Sequence, residues 1–234
     1  MHYRFDFGAV LQGQYLDWLL SGLGVTVELF VLAWALSFLL AVVLAVLRLT
    51  GFRPAEWLVG AYVEYHRNVP LLVQLLFWYF AAPELFPAPV REFLRLHGSE
   101  FPLALVALVL CAAAYVSEDL RSGVRAIPRT QVEAGRALGL SYLQAARLIV
   151  IPQAVRISAP SLINQALLLF KNTSLAMAIG VAELTYQAKE VDSNTFKTFE
   201  AFGVATVAYL LVSFSIMYAG SFASKRFAVA GARK

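Results

Sequence analysis

Residues 133–152 read EAGRALGLSYLQAARLIVIP. They contain two arginines, one glutamate and two glycines among many small residues. The chain around them is far more apolar, because 60% of its 234 residues are hydrophobic and only 15% are charged. A soluble domain normally carries about 25% charged residues. The stretch is therefore a polar island in a chain whose composition is typical of a membrane protein.

Long apolar blocks favour membrane helices over the alternative, a soluble protein with an unusually large core. A transmembrane helix needs about 20 predominantly apolar residues. Five blocks qualify, although the third is short: residues 23–47, 57–82, 101–116, 157–181 and 201–222. We predict an all-α, polytopic membrane protein with five transmembrane helices, forming a single transmembrane domain over residues 1–234.

The distribution of Lys and Arg predicts the orientation of these spans. One side would hold Arg48, Arg53, Arg121, Arg125, Arg129, Arg136, Arg147, Arg156, Lys225, Arg226, Arg233 and Lys234. The other side would hold Arg4, Arg91, Arg95, Lys189 and Lys197. Because cytoplasmic loops carry the excess of basic residues, we predict the N-terminus outside, the C-terminus inside and a cytoplasmic loop over residues 117–156. The net charge of +4 follows from this asymmetry and a basic tail at anionic lipid, so it indicates no nucleic-acid partner.

The cytoplasmic stretch has helix signals of its own. Thr130 and Glu133 have the spacing of a capping box, which predicts a helix start. Gly139 is suited to end that helix because glycine adopts the left-handed conformation, and Ser141 predicts a second short helix that Pro152 stops or kinks. Two short helices joined at a glycine would make a compact knob. Ala134, Gly135, Ala137 and Gly139 would keep its surface low, so that it fits a groove on another protein. An amphipathic loop on the lipid surface fits the same pattern, and physical chemistry alone leaves both open.

The segment resembles the EAA loop of ATP-binding-cassette (ABC) importer permeases, whose pattern is E-A-A, three residues, G, nine residues, then I-x-L-P. The matching positions are Glu133, Ala134, Gly135, Gly139, Ile149, Ile151 and Pro152, with Gly135 in place of the last alanine and Ile151 in place of leucine. The resemblance implies a coupling helix that docks on an ATPase, with Glu133 expected to cap and orient it. The coupling residues that it implies are Glu133, Ala134, Gly135, Ala137, Leu138, Gly139 and Pro152.

Other stretches resemble the histidine/glutamate-type subfamily of polar amino acid permeases. They are YVEYHRNVPLLVQ at 62–74, AYVSEDLRSGVRAIPRTQ at 114–131 and FKNTSLAMAIGVAELTYQA at 170–188. RNVPLLVQLLFWYFAAPELFP at 67–87 is most similar to the membrane subunits of glutamate/aspartate importers. The resemblance implies a type I ABC importer permease in the bacterial cytoplasmic (inner) membrane that carries glutamate or aspartate, with glutamine or basic amino acids as the alternatives.

The same resemblance implies the partners of the chain. They are a cytoplasmic ABC ATPase dimer, an external amino acid binding protein and a second permease subunit, with a heterodimer favoured over a homodimer. The chain has no G-x-x-x-x-G-K-[ST] motif, so ATP and Mg²⁺ are expected on the partner ATPase and this chain is expected to hold no cofactor.

Charged residues inside apolar spans are costly, so they are candidates for function. Glu64 and Arg67 are three residues apart, and the following Asn68 and Pro70 would break their helix. Such breaks often mark a substrate path near the membrane centre. The candidate pathway residues are Glu64, Arg67, Asn68, Gln74, Lys171, Asn172, Thr173 and Ser174. A cation such as Arg67 or Lys171 could bind a substrate carboxylate, but a structural ion pair or a polar contact between helices is the alternative.

The remaining motifs argue against catalysis. The three histidines, His2, His66 and His97, form no metal-binding spacing, so no metal is predicted and surface or interface positions are favoured for them. A membrane-embedded enzyme would need paired catalytic carboxylates or a nucleophile with its base inside the spans, and neither pattern is present. A membrane anchor without transport function remains a competing hypothesis, although it leaves the polar run at Lys171 unexplained.

Overall fold

The computed structural model describes residues 5–227, and every regular element in that range is helical. The helices are α1 (Gly13–Leu49), α2 (Arg53–Asn68), α3 (Leu71–Leu76), α4 (Ala88–His97), α5 (Glu100–Arg125), α6 (Arg129–Ala137), α7 (Tyr142–Ala145), α8 (Ile151–Asn172), α9 (Leu184–Thr195) and α10 (Thr198–Phe227). Short 3₁₀ or π turns cover Phe7–Ala9, Phe77–Ala81, Ala82–Leu85, Ala146–Val150 and Thr173–Ile179. The predicted all-α class is confirmed. Arg4, Arg233 and Lys234, which entered the charge count, lie outside the described residues.

Four of the described helices are long and apolar enough to cross a membrane. They are Gly13–Leu49, Glu100–Arg125, Tyr142–Ile179 and Thr198–Ser224. Even the shortest has 26 residues, which at about 1.5 Å per residue exceeds a hydrocarbon core of about 30 Å. These helices contain the first, third and fifth predicted spans and all but the last two residues of the fourth.

The second predicted span, residues 57–82, is not one continuous helix. Helix α2 ends at Asn68, Val69 is extended (φ −95°, ψ 128°), and α3 starts after Pro70. A residue before proline avoids the helical region for steric reasons, and Pro70 has no N–H to continue the ladder. The apolar part that follows, Leu71–Leu85, is too short to count among the four long helices.

Pro152 does not stop the second cytoplasmic helix, so the predicted stop is wrong. The helix runs on through the π turn Ala146–Val150 into α8, as one apolar helix over Tyr142–Ile179. The Ile151 N–H bonds to the carbonyl of Ala146, five residues back. This wider turn directly before Pro152 accommodates the missing N–H and the ring within a continuing helix.

Helix α1 is the centre of the packing, and small residues allow this. Ala33, Ser37 and Ala41 are fully buried at four-residue spacing on α1, facing the small residues Ala104 and Ala107 of α5 and their neighbours. Side chains this small let two helix backbones approach closely, which is the usual basis of helix association in membranes.

The carboxylate of Glu183 ties α9 to the rest of the bundle. It is fully buried and accepts hydrogen bonds from the N–H groups of Thr185 (2.9 Å) and Tyr186 (2.8 Å) and from the hydroxyl of Tyr209 on α10 (2.7 Å). The N–H of Leu184 donates to Thr26 Oγ1 on α1 at 3.0 Å. The start of α9 is therefore bonded to two of the long helices.

Candidate functional site

The first candidate site is the hairpin α6–α7 at the end of α5. Helix α6 begins at Arg129 directly after Pro128, and no side chain caps it. The predicted capping box of Thr130 and Glu133 is therefore wrong. The N-cap is Pro128, with its φ fixed at −59°, two residues before the Thr130 N-cap that the pattern suggested.

Gly139 ends α6 as predicted. It has φ +86°, the N–H of Leu140 bonds to the carbonyl of Gly135 at 3.1 Å, and the N–H of Gly139 bonds to the carbonyl of Arg136 at 3.0 Å. This pair of bonds is the Schellman motif, which needs a left-handed residue at this position. No other atom lies within 4 Å of a Cβ built on Gly139, so backbone conformation is what favours glycine here.

Ser141 starts the next helix as predicted. Its Oγ accepts from the N–H of Gln144 at 3.2 Å, and the Gln144 side chain accepts from the N–H of Ser141 at 2.7 Å. The hairpin is also bridged by a bond that the sequence pattern did not indicate, from Gln153 Nε2 to Gln131 Oε1 at 2.6 Å. These bonds make α6 and the start of the next helix one unit.

Gly135 belongs to the inside of this hairpin, not to its outer surface. It is buried, and a Cβ there would lie 2.5 Å from Ile149 Cδ1. Ala134 and Ala137, by contrast, are exposed. The expectation that all the small residues form one low outer surface is therefore correct for the alanines and wrong for Gly135.

The tip of the hairpin exposes large apolar side chains. Leu138 is 86% exposed, Leu143 77% and Tyr142 72%. Glu133 is exposed on α6 and makes no capping bond to it. An apolar cluster on a rigid hairpin that leaves the bundle is the form expected of a surface that another protein covers.

The second candidate site is the break between α2 and α3. Asn68 Nδ2 donates to the carbonyl of Glu64 at 2.7 Å and to its Oε2 at 3.0 Å. Glu64 therefore bonds to Asn68, and its predicted pairing with Arg67 is not observed among the described residues. The three side chains are all exposed at the break.

Tyr115 of α5 holds Arg67 at this break. The guanidinium carbon of Arg67 lies 5.4 Å from the centre of the Tyr115 ring, which is a cation–π contact. The Tyr115 hydroxyl also donates to the Arg67 carbonyl at 3.3 Å. The cleft beside Tyr115, between α3, α5 and α8, is lined by Gln165 and Asn172. Of the predicted pathway residues, Arg67 therefore contacts Tyr115, and Asn172 lines the same cleft as Tyr115.

Gln74 is a structural residue of the break. It is 1% exposed, and its Nε2 donates to the carbonyls of His66 (3.1 Å) and Val69 (2.8 Å). Its Oε1 accepts from His66 Nδ1 at 2.6 Å, since an amide oxygen can only accept. His66 is buried, so the favoured surface position for this histidine is wrong. The pair satisfies the backbone groups that Pro70 leaves without helical partners.

The four polar residues 171–174 at the end of α8 differ in their exposure. Lys171 is exposed and Asn172 is half-buried, but Thr173 is fully buried and donates to the carbonyl of Phe170 at 2.6 Å. Ser174 donates to the carbonyl of Lys171 at 2.7 Å. The helix tightens to a 3₁₀ turn from Thr173 onward. Lys171 and Asn172 are therefore the members of this run whose side chains remain available.

The charges near the cleft are unevenly paired. The Glu118 carboxylate of α5 binds both Arg121 and Arg48, which is at the end of α1. Within residues 5–227, no carboxylate oxygen lies within 4 Å of Arg67 or Lys171. Two exposed cations without a carboxylate within 4 Å thus lie beside the cleft: Lys171 is on α8, which lines it, and Arg67 of α2 contacts the lining residue Tyr115.

Comparison with known proteins identifies the family. The family model for the binding-protein-dependent transport system inner membrane component matches residues 37–229. The chain belongs to this family. The permease is 37% identical, over 84% of its own length and 87% of the relative's, to the probable glutamine ABC transporter permease protein GlnM of Bacillus subtilis (strain 168).

Two further comparisons agree with this assignment. The permease is 34% identical to the glutamate/aspartate import permease protein GltJ of Escherichia coli (strain K12), over 87% of its own length and 84% of the relative's. A crystal structure of an amino acid ABC transporter with histidines matches with a TM-score of 0.83 at 29% identity, covering 96% of this chain and all of that one. The permease therefore has the type I ABC permease fold and is a membrane subunit of an amino acid ABC importer. It is not an enzyme, because the ATPase of such a transporter is a separate subunit.

Proposed function

We propose that the permease imports glutamate and aspartate along a path that passes the α2–α3 break. The observation that carries this proposal is the pair of exposed cations, Arg67 and Lys171, neither of which has a carboxylate within 4 Å among residues 5–227. An acidic amino acid has two carboxylates and one ammonium group. Two unpaired cations match that charge pattern better than a neutral or basic side chain does.

The exposure of charged residues within the predicted spans supports the pathway role. Ionisable groups within transmembrane segments almost always face the bundle interior or a water-filled cavity, because lipid does not solvate them. Arg67, Glu64 and Lys171 are exposed on the isolated chain, so water in a path or a second subunit is expected to cover them. Tyr115 and Asn172 would add hydrogen bonds, while Gln74 and Thr173 would support the site from within.

The α6–α7 hairpin, Arg129–Ala145, would connect this path to ATP, and we call it the coupling hairpin. In the proposal, Leu138, Tyr142 and Leu143 enter a groove on a cytoplasmic ABC ATPase dimer, which binds ATP and Mg²⁺. Closure of that dimer would then move the hairpin as a rigid body and bias the permease between outward-open and inward-open states. The Schellman turn and the Gln131–Gln153 bond support this role because they make the hairpin rigid.

The proposal also includes the partners of the permease and its membrane. The permease would pair with a similar but different second permease, receive substrate from an external binding protein, and lie in the bacterial cytoplasmic (inner) membrane. The second of five crossings would combine α2 with Leu71–Leu85, and the excess of Lys and Arg would keep the C-terminus inside.

Uptake tests the substrate. Labelled glutamate, aspartate, glutamine and arginine are offered to cells with and without this gene, in the presence of its ATPase and binding-protein partners. Gene-dependent uptake of glutamate and aspartate alone is expected. Uptake of glutamine instead would favour the second candidate, which the 37% identity to GlnM supports, and would keep the transport mechanism. A membrane anchor would give no gene-dependent uptake of any amino acid.

Neutral substitutions test the site. Arg67→Met and Lys171→Met are each expected to raise the KM for glutamate, while the matched controls Arg91→Met on α4 and Lys189→Met on α9 leave it unchanged. Both controls remove a cation from an exposed position away from the break. If Arg67→Met and Lys171→Met kept wild-type KM and rate, the two cations would not line the path.

A further inference from the structure

Helix α4, Ala88–His97, has two chemically different faces. On a helical projection at about 100° per residue, Val90, Phe93, Leu94, Leu96 and His97 fall on one side. Arg91, Glu92 and Arg95 fall on the other. A helix patterned in this way normally buries its apolar side.

The apolar side of α4 is not buried within the described chain. No residue of α4 is buried, and Val90, Phe93 and Leu96 are 44%, 59% and 64% exposed. The preceding Leu85 is 81% exposed. The helix therefore needs a cover that residues 5–227 of one chain do not provide.

The charged side chains on the polar side of α4 form local ion pairs, one within the helix and one with the turn before it. Arg95 binds Glu92 through two bonds, Nη2 to Oε1 at 2.7 Å and Nε to Oε2 at 3.0 Å. Arg91 lies 3.7 Å from a carboxylate oxygen of Glu84. These pairs leave little net charge to attract or orient a charged protein partner.

Short connections hold α4 at the end of the bundle where α5 begins. Two residues, Phe86 and Pro87, separate it from the apolar segment before it, and two residues, Gly98 and Ser99, separate it from α5. Tyr79 in that apolar segment donates to Glu100 at the first position of α5, at 3.3 Å. Since α5 leads at its other end to the coupling hairpin, α4 lies at the opposite end of the bundle, where a long membrane helix begins.

We propose that α4 lies in the membrane surface at this end, with its apolar face in the boundary between lipid headgroups and acyl chains. An amphipathic helix in this position buries its apolar face about 5–10 Å deep. Lipid is a better candidate than a protein to cover this apolar face, for two reasons. The helix is held where α5 enters the membrane, and the charges on its polar side are neutralised by local ion pairs. It would anchor the outer ends of α3 and α5, two of the three elements that border the cleft.

Site-directed spin labelling tests the occupant directly. Single cysteines, Val90→Cys, Phe93→Cys and Leu96→Cys on the apolar face and Glu92→Cys and Arg95→Cys on the polar face, are labelled in the complete transporter in nanodiscs of phosphatidylethanolamine and phosphatidylglycerol. Cys111 is buried, so the wild-type chain is the labelling blank. Collision with oxygen, which partitions into lipid, is compared with collision with a water-soluble nickel chelate.

The expected result is a helical period, with oxygen preferred at 90, 93 and 96 at a depth of about 5–10 Å and nickel preferred at 92 and 95. Phe93→Asp with Leu96→Asp should abolish the oxygen preference at a label on residue 90, while Glu92→Asn with Arg95→Asn leaves it. Nickel access at every position would place α4 in water, and low access to both reagents at residues 90, 93 and 96 would show a protein cover. Either result overturns the proposal without bearing on the imported substrate.

Discussion

Replacing Gly123 with alanine should separate α5 from α8 just above the coupling hairpin. A Cβ at this position would lie 2.0 Å from Ser158 Oγ and 2.8 Å from the carbonyl oxygen of Ala154. Ser158 can rotate, but it would then lose its hydrogen bond to the carbonyl of Asp119, now 3.0 Å long. The Ala154 oxygen belongs to the α8 backbone and can move only if the helix moves.

The magnitude follows from these two contacts. Loss of the Ser158 hydrogen bond costs about 1 kcal/mol, and overpacking of a close helix contact costs about 1–3 kcal/mol. Alanine recovers about 1 kcal/mol through its better helix propensity. The net loss for Gly123→Ala is therefore about 1–3 kcal/mol. The melting temperature of a chain this long falls by about 2–4 °C per kcal/mol.

Thermal unfolding of the purified transporter in detergent or nanodiscs measures this loss, and Gly24→Ala is the matched control. Gly24 is also inside a long helix, but a Cβ there meets no atom within 4 Å, so its melting temperature should be unchanged or slightly higher. Ser158→Ala combined with Gly123→Ala should recover part of the loss, since the 2.0 Å contact with the hydroxyl is removed, while the contacts with the Ala154 oxygen (2.8 Å) and the Cβ of residue 158 (3.3 Å) remain. If the Gly123→Ala and Gly24→Ala transporters had the same melting temperature, the close α5–α8 contact would not exist.

Three other substitutions test the hairpin and the break. Gly139→Val should cost about 1–3 kcal/mol through strain at φ +86° and should reduce both uptake and co-purification of the ATPase, while Gly139→Asn, which tolerates this conformation, should lose less. Gly135→Ala should change the melting temperature little, because the contacting Ile149 Cδ1 is the end of a flexible chain, whereas Gly135→Val should lower it clearly. Gln74→Leu should lower the melting temperature, because each buried polar group left unpaired costs about 1–3 kcal/mol; an unchanged value would mean that water replaces the amide.

Local signals in the sequence predicted the hairpin well where one residue decides the backbone. Gly139 and Ser141 act through bonds to residues within five positions, so their roles can be inferred from the sequence. Pro152 was misinterpreted because its effect depends on the π turn before it, and no side-chain pattern marks that turn. Gly135 was misplaced because its close neighbour, Ile149, lies across the hairpin.

The pathway shows the same limit over longer distances. The polar residues around Pro70 correctly predicted a break, since proline acts on its own helix. Tyr115, which holds Arg67, is 48 positions away in the sequence, and Glu118 is 70 positions from Arg48. Glu118 has two arginine partners, whereas Arg67 has no carboxylate within 4 Å among the described residues. No pattern in the neighbouring sequence indicates this difference. Only the packing of α1, α2 and α5 determines which cations remain available.

The second half of α5 joins the two candidate sites. Tyr115 contacts Arg67 at the break, Glu118 binds Arg48 at the end of α1, and Gly123 lies against α8 before the chain enters the coupling hairpin. From Tyr115 to Arg125 the helix is unbroken and about 15 Å long, so we expect a displacement of the hairpin to reach the break through it as through a rigid rod. Its contacts with α1 and α8 hold the position of this rod, which is why the close contact at Gly123 is expected to influence transport as well as stability. A Gly123→Ala protein that is less stable but imports at the full rate would mean that the signal takes another route, through α8.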